Sequence, residues 1–150
     1  MVAAAASTAG EREAWHHCGT RRGSGMSDVT RIGGVFFRTA DPAATAAWYR
    51  AHLGLPDQGF DGASLGSPGN EAVWSPFPRD TAYFGPGDQQ FMVNLVTPDL
   101  DGLLDRLRAA GVVVLDNVEE TDFGRFGWMV DCDGNRVELW QPPEHYPSEG

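Results

Sequence analysis

Strand-like and helix-like patterns of hydrophobic and polar positions alternate along this chain, and the alternation occurs twice. The first copy opens with the β-type run "RIGGVFFRT" (residues 31–39), and the second opens with "FMVNLV" (residues 91–96). Each run is followed by apolar residues at helical spacing and then by short strand-like runs between Gly, Pro and Asp turns. One strand, one helix and about three further strands, repeated, predict a pair of βαβββ modules.

Both predicted helices carry start and stop signals. Asp41 and Pro42 supply an N-cap and a first-turn residue for the first helix, and Gly54 ends it. The Thr97–Pro98 pair starts the second helix, and Gly111 stops it. The apolar faces comprise Ala44, Ala47, Trp48, Ala51 and Leu55 in the first helix and Leu100, Leu103, Leu104 and Leu107 in the second.

Short strand candidates follow each helix. They cover residues 59–64, 72–77 and 81–85 in the first half and residues 112–118, 127–131 and 136–141 in the second. Because each half alone is too small to bury its helix and sheet faces, we expect the halves to join. The sequence therefore predicts an α+β domain over residues 29–143, with modules 29–87 and 88–143. Disordered tails are predicted at residues 1–28 and 144–150, and Met26 is an alternative start of the chain.

Charge and composition exclude several classes of protein. The 21 acidic and 11 basic residues give a net charge of -10, which repels a phosphate backbone and disfavours nucleic-acid partners. No apolar run approaches the roughly 18 residues of a membrane span, and the Ala-rich start lacks the features of a signal peptide. We therefore expect a cytoplasmic protein without a membrane partner. Cys18 and Cys132 are far apart and lack CxxC spacing, so free thiols are predicted.

Several motifs resemble the vicinal oxygen chelate superfamily, which includes glyoxalase I, extradiol dioxygenases and bleomycin-resistance proteins. They are "GGVFFRTADPAATAAWYRAHLGL" in the first half, and "LDGLLDRLRAAGV" and "GRFGWMVDCDGNRVELWQPPE" in the second. The resemblance covers about residues 31–143. The stretches "WSPFP", "YFGPGDQ", "FMVN" and "GRFGW" look like a glyoxalase-like bacterial branch. The resemblance to the superfamily implies a partly open, eight-stranded, barrel-like sheet with a concave ligand cleft, and it also implies a homodimer.

The resemblance also implies a place for a divalent metal, commonly held by two His and two Glu. Carried over to this sequence, the four ligand positions fall on Gly34, Met92, about Ser75, and Glu138. One carboxylate without imidazole suits neither Zn²⁺ nor Fe²⁺, so we predict no cofactor and no metal ligands. The alternative is a Zn, Ni, Fe or Mn site rebuilt with Asn94, Asp131 or His52.

Alternation along the strands predicts which side chains share the concave face with Glu138. Arg136 and Trp140 point the same way as Glu138, whereas Val137 and Leu139 pack under a helix. By the same register, the inward positions of the two opening strands are Gly34, Phe36, Arg38, Met92, Asn94 and Val96. The predicted ligand-binding residues are Phe36, Arg38, Phe77, Met92, Asn94, Trp128, Glu138 and Trp140. This lining is apolar and aromatic with a few polar points, as is typical of a small-molecule pocket.

The sequence leaves three roles open for Glu138. As a structural acid it needs a partner when buried, and Arg38 or Arg136 across the sheet is the expected one. As a ligand-binding acid it receives a cationic or hydroxyl group. As a catalytic general base it requires a pKa raised by the apolar lining.

Four functions are consistent with these features, and the missing imidazoles favour the first. It is a small-molecule binder of the resistance or sequestration type, acting without a tightly bound metal. The alternatives are a metal-dependent lyase, isomerase or dioxygenase, a metal-free isomerase that uses Glu138, and a dimeric module without a ligand.

Overall fold

The chain forms seven strands and two helices, as seen in a computed structural model that describes residues 27–144. In chain order they are β1 (Arg31–Thr39), α1 (Pro42–Leu53), β2 (Ala63–Leu65), β3 (Ala72–Pro78), β4 (Phe91–Val96), α2 (Leu100–Ala109), β5 (Glu119–Thr121), β6 (Gly124–Val130) and β7 (Arg136–Gln141). The predicted α+β fold with a barrel-like sheet is confirmed, with seven strands in a curled half-barrel. Between residues 27 and 144, neither helix has the length and apolar run needed to cross a membrane.

The seven strands form one sheet in the order β2-β3-β1-β4-β7-β6-β5. The strands of the first half therefore occupy one side of the sheet and those of the second half the other. The two halves join edge to edge where β1 pairs antiparallel with β4. On either side of this seam the pairing is parallel, β1 with β3 and β4 with β7. The seam brings the opening strands of both repeats to the centre of the sheet.

Capping residues set the ends of both helices. The Asp41 carboxylate accepts from the backbone N–H of Ala44 at 3.1 Å, and Gly54 ends α1 in the left-handed region at φ 67°. In α2 the N-cap is Asp99, which accepts from the N–H of Gly102 at 3.0 Å. The predicted start at Thr97–Pro98 is therefore two residues too early, because a carboxylate at position 99 satisfies the free N–H groups of the first turn.

Helix α2 covers one face of β7 and leaves the other face free for the site. Leu139 is 2% exposed and packs with Leu100, Leu103 and Leu104, and Val137 packs against the same cluster. The predicted alternation along β7 is confirmed for these two residues. Glu138 therefore points to the opposite, concave face of the sheet.

Two predicted strands are wrong. Residues 81–85 form turns rather than a strand, and residues 112–118 contribute a single β-bridge between Val114 and Met129. A short strand, β5, forms after the second of these segments and pairs with β6. The first half therefore has three strands and the second half four, which gives seven in place of the expected eight.

The segment that replaces the missing strand is the connector, which we define as residues 79–90 between β3 and β4. The Arg38 guanidinium donates to the backbone carbonyls of Arg79, Thr81 and Gln89 at 2.7, 2.8 and 2.8 Å. Arg136 exchanges hydrogen bonds with the Gln89 side chain, its N–H donating at 2.7 Å and its carbonyl accepting at 2.8 Å. These side-chain contacts hold both ends of the connector against the sheet, together with a backbone hydrogen bond from the N–H of Arg38 to the carbonyl of Gln90 at 3.0 Å.

Cys132 lies in the turn between β6 and β7 and is disulfide-bonded. The prediction of a free thiol is therefore wrong for this residue, because sequence spacing does not report which cysteines meet in space. Cys18 lies outside the described residues, as do residues 1–26 and 145–150 of the two predicted tails.

Replacing Gly33 with alanine is expected to lower the free energy of unfolding by about 1–3 kcal/mol through overpacking. The added Cβ would lie 2.3 Å from Oδ1 of Asn94 and 2.8 Å from the Trp140 ring, and both side chains are buried. The matched control is Gly127→Ala, whose Cβ would meet leucine methyl groups at 3.2–3.4 Å. Urea unfolding of both variants measures the difference, and equal losses would contradict this account of Gly33.

Candidate functional site

The candidate site centres on the carboxylate of Glu138, which is 2% exposed. Strand pairing places Asn94 on one side of it and Trp128 on the other. Nδ2 of Asn94 donates to Oε1 at 2.6 Å, and Nε1 of Trp128 donates to Oε2 at 3.0 Å. Two neighbouring strands therefore supply two neutral donors to one buried acid.

A third donor comes from the connector. The hydroxyl of Tyr83 donates to Oε2 of Glu138, and its ring stacks on Phe77 with centroids 5.2 Å apart and planes at 8°. The same ring packs against Trp128 in a T-shaped arrangement, with centroids 6.1 Å apart and planes at 85°. Tyr83 thus enters the concave face from outside the sheet and reaches the acid.

Aromatic and apolar side chains surround this carboxylate. The buried members of the cluster are Phe36, Phe84, Met92 and Trp128, and Phe77 and Tyr83 are among the partly buried residues that pack against it. Phe84 is 1% exposed, so the connector side chains fill the concave cleft. A surface depression of about 370 Å³ lies elsewhere, beside Phe91 and Val137, and Glu138 does not line it.

Burial dominates the electrostatics of the site. Desolvation raises the pKa of Glu138 above its usual value, and the hydrogen bonds from Tyr83, Asn94 and Trp128 oppose this rise only in part. Desolvation and then the charge of Glu138 raise the pKa of Tyr83 well above the ordinary range of a phenol. Tyr83 therefore keeps its proton and acts as a donor, and Glu138 holds a proton more readily than an exposed acid does.

Asn94 has one unsatisfied atom. Its amide nitrogen donates to Glu138, but the buried Oδ1 has no hydrogen-bond partner, and it is the single such side-chain atom among residues 27–144. An orphaned buried acceptor costs about 1–3 kcal/mol. Rotating the Asn94 amide by half a turn would place Oδ1 next to the side chain at position 138 as an acceptor. This arrangement suits a side chain that can donate, either a protonated Glu or a Gln.

The structure brings most of the predicted ligand-binding residues together. Those gathered around Glu138 are Phe36, Phe77, Met92, Asn94 and Trp128. Arg38 instead binds the connector carbonyls and lies 5.1 Å over the Phe84 ring. Trp140 is also buried, and its Nε1 donates to the carbonyl of Phe123 at 2.8 Å.

The predicted ion pair between Glu138 and an arginine is wrong. Arg38 uses its guanidinium on three carbonyls of the connector, and Nη1 of Arg136 donates to the carbonyl of Tyr83 at 3.3 Å. The physical reason is that carbonyls in turns lack strand partners and need donors. Three neutral groups serve Glu138 in place of a cation.

Sequence reasoning missed Tyr83 and Phe84 as members of the site. Both lie within residues 81–85, which the sequence predicts as a short strand and not as part of the ligand-binding face. The available signal was two adjacent aromatic residues beside Gly85, because a turn that faces solvent seldom carries a pair of large apolar rings.

The donor set does not fit a tightly bound divalent metal. The positions carried over from the superfamily offer no further ligand at Gly34 or Met92, and Glu138 already accepts three hydrogen bonds. Of the alternative ligands, His52 is exposed on α1 and Asp131 caps the turn after β6 by accepting from the N–H groups at positions 133 and 135. Within residues 27–144, no three His, Cys, Asp or Glu side chains are grouped to hold an ion.

Solved structures with the same fold include two methylmalonyl-CoA epimerases. The Mycobacterium tuberculosis enzyme is 24% identical, with a TM-score of 0.60 over 80% of this chain and 93% of that one. A Streptomyces coelicolor variant in complex with 2-nitronate-propionyl-CoA is 22% identical, with a TM-score of 0.60 over 76% and 98%. A glyoxalase/bleomycin resistance protein/dioxygenase superfamily member from Vibrio splendidus is 13% identical, with a TM-score of 0.51 over 74% and 97%. At these identities the likeness establishes the fold alone.

Sequence comparison gives the family. No curated protein matches the chain significantly. The family model described as a glyoxalase-like domain matches residues 34–140, which span most of both modules and include the whole Glu138 site. The chain therefore belongs to the glyoxalase-like domain family, within the vicinal oxygen chelate superfamily.

Proposed function

We propose that this protein binds a small organic molecule on the concave face of its sheet, with Glu138 as the polar anchor of an aromatic pocket and without a tightly bound metal. One observation carries the proposal. A carboxylate that is 2% exposed is kept among aromatic rings and receives three neutral donors but no cation. A few convergent polar groups on an apolar concave wall are what small-molecule sites have in common.

The cost of keeping an acid there supports a role in binding. Removing a carboxylate from water costs several kcal/mol, and a well-packed apolar residue in its place is often neutral or stabilising. An ionised carboxylate has about four lone-pair sites, and three are used here. Glu138 thus retains capacity for one more donor, or for a different donor in place of Tyr83.

The connector offers the route by which a ligand reaches Glu138. Asn94 and Trp128 are fixed by strand pairing, whereas Tyr83 lies in a turn segment containing Gly85 and Gly87, both at positive φ. The Tyr83 side chain can therefore leave the pocket without breaking a β-ladder. A ligand that takes its place keeps the aromatic walls and the acceptor.

A metal-free isomerase is the second candidate, and the raised pKa of Glu138 favours it. A general base works best when its pKa lies near the working pH, and apolar burial moves a carboxylate in that direction. Glu138 would take a proton from a carbon acid and return it, once Tyr83 has vacated Oε2. The epimerases among the structural neighbours share the fold with this chain.

Binding is tested by screening cationic, neutral and anionic aromatic compounds for a rise in the melting temperature. A ligand at 100 times its Kd stabilises the folded state by about 2.7 kcal/mol. We expect at least one class to bind the wild type and to bind Glu138→Gln about tenfold more weakly, because a bond to an ionised acceptor is stronger. Glu144→Gln, an exposed acid outside the site, is the control. Binding that is unchanged in Glu138→Gln would place the ligand elsewhere.

Metal independence is tested by treating the protein with EDTA and then adding Zn²⁺, Ni²⁺, Fe²⁺ or Mn²⁺. We expect the ligand affinity and the melting temperature to stay the same, because the site offers one carboxylate and no imidazole. Elemental analysis of the untreated protein gives the metal content. A stoichiometric ion whose stabilisation disappears in Glu138→Gln would contradict this part of the proposal.

The raised pKa of Glu138 gives a prediction for stability against pH. The folded protein binds this proton more tightly than the unfolded chain, whose value is 4.5. The contribution to stability is therefore complete below pH 4.5 and is lost as the pH rises through the folded pKa. Glu138→Gln has no such proton, so the free energy of unfolding of the wild type should fall relative to that of the variant over this range.

Urea unfolding of both proteins between pH 4 and pH 8 provides the measurement. Glu144→Gln, measured over the same range, is the control variant. A difference between wild type and Glu138→Gln that grows in favour of the wild type with rising pH would show that Glu138 is stabilised in its charged form, contrary to this account.

A further inference from the structure

Tyr83 occupies the pocket in the way that a bound phenol would. Its hydroxyl donates to Oε2 of Glu138, and its ring stacks on Phe77 and makes a T-shaped contact with Trp128. Phe36 adds a third ring at 6.5 Å and 62°. The pocket is therefore complementary to one aromatic ring with one hydroxyl group.

The backbone of Tyr83 contributes little to the fit between its side chain and the pocket. Its backbone carbonyl accepts from Nη1 of Arg136 at 3.3 Å, and its N–H donates to the hydroxyl of Thr81 at 3.2 Å. No strand pairing fixes its position, since the connector has no strand. The contacts that define the site belong to the side chain, so a free molecule with the same groups can make them.

We infer that the native ligand of this pocket is a neutral phenol, which binds Glu138 by replacing the side chain of Tyr83. The inference rests on the proposed function and names its ligand class. A hydroxyl on a ring reproduces both the hydrogen bond and the stacking. An anionic ring would bring a second negative charge to Glu138, and a ring without a donor would leave Oε2 with Trp128 alone.

A cationic ring fits the surroundings less well than a neutral phenol. The walls at Phe36 and Phe77 offer no oxygen or nitrogen acceptor to the remaining N–H groups of an ammonium ion, and burying a charge without full hydrogen bonding is unfavourable. The Arg38 guanidinium also lies 5.1 Å over the Phe84 ring. A cationic ligand would therefore bring a second positive charge to the cluster.

The test uses p-cresol, the free counterpart of the tyrosine side chain, with toluene, 4-methylanisole, p-toluate and benzylamine as comparisons. Calorimetric titrations are made on the wild type, Tyr83→Phe and Tyr83→Ala. We expect p-cresol to bind all three proteins, and to bind both variants at least tenfold more tightly than the wild type because the internal competitor is weakened or removed. Toluene and 4-methylanisole should bind Tyr83→Ala at least tenfold more weakly than p-cresol does.

Two control variants test whether the phenol binds in the pocket. Tyr49→Phe changes a tyrosine that packs on Trp74 at 4.4 Å, away from the site, and should leave the affinity for p-cresol unchanged. Glu138→Gln combined with Tyr83→Phe should weaken p-cresol binding and leave toluene binding unchanged. If Tyr83→Ala does not fold, Tyr83→Phe keeps the ring and preserves the comparison with the wild type.

The outcomes separate this inference from the proposed function. Tighter binding of benzylamine, p-toluate or 4-methylanisole than of p-cresol would overturn the inference that the ligand is a phenol. It would leave the proposal of a ligand pocket at Glu138 in place. Binding of p-cresol to the Tyr83 variants but not to the wild type would show that Tyr83 is a permanent part of the core, and would overturn the inference. Failure of every compound on every variant would overturn both proposals.

Discussion

The burial of the Glu138 carboxylate is the constraint on which the rest of the site depends. A buried acid requires hydrogen-bond donors at its oxygens, because an unpaired one would cost several kcal/mol. The donors come from β4, β6 and the connector through Asn94, Trp128 and Tyr83. Three separate parts of the chain must therefore be in register before the acid is satisfied. The pairing of β7 with both β4 and β6 provides two of these positions directly.

The connector explains why the acid relies on neutral donors. A strand at residues 79–90 would have had its carbonyls paired in a β-ladder, but the turns found there leave carbonyls without strand partners. Arg38 and Arg136, the two cations expected beside Glu138, bind those carbonyls instead. One local departure from the repeated pattern thus decides both the strand count and the chemistry around the acid.

Sequence reasoning succeeded where short-range rules decide the outcome. The Asp41 cap, the left-handed Gly54, and the placement of Leu139 under α2 all follow from local propensity and strand alternation. The same alternation located Glu138 on the concave face with Asn94 in reach. Local rules therefore predict most of the fold and those residues of the site that lie on strands.

The errors lie where long-range contacts decide the outcome. Residues 81–85 have enough aromatic character to read as a strand, and their turn conformation depends on hydrogen bonds from Arg38, which is more than 40 positions away. The role of Tyr83 has the same origin, since its partner Glu138 is 55 positions away. Neither contact leaves a periodic signal in the sequence. The disulfide state of Cys132 is likewise a matter of spatial proximity.

The two oxygens of Glu138 differ in how readily their partners can exchange. Oε1 accepts from Asn94, whose approach is fixed by β-pairing and by the absence of a side chain at Gly33. Oε2 accepts from Trp128, also fixed by pairing, and from Tyr83, which is not. A divalent metal would need ligand atoms from several side chains, and Gly34 and Met92 supply no oxygen or nitrogen atom, whereas a single hydroxyl needs only the place of Tyr83. The arrangement of the strands therefore confines any exchange of ligands to one position, the Tyr83 side of Oε2.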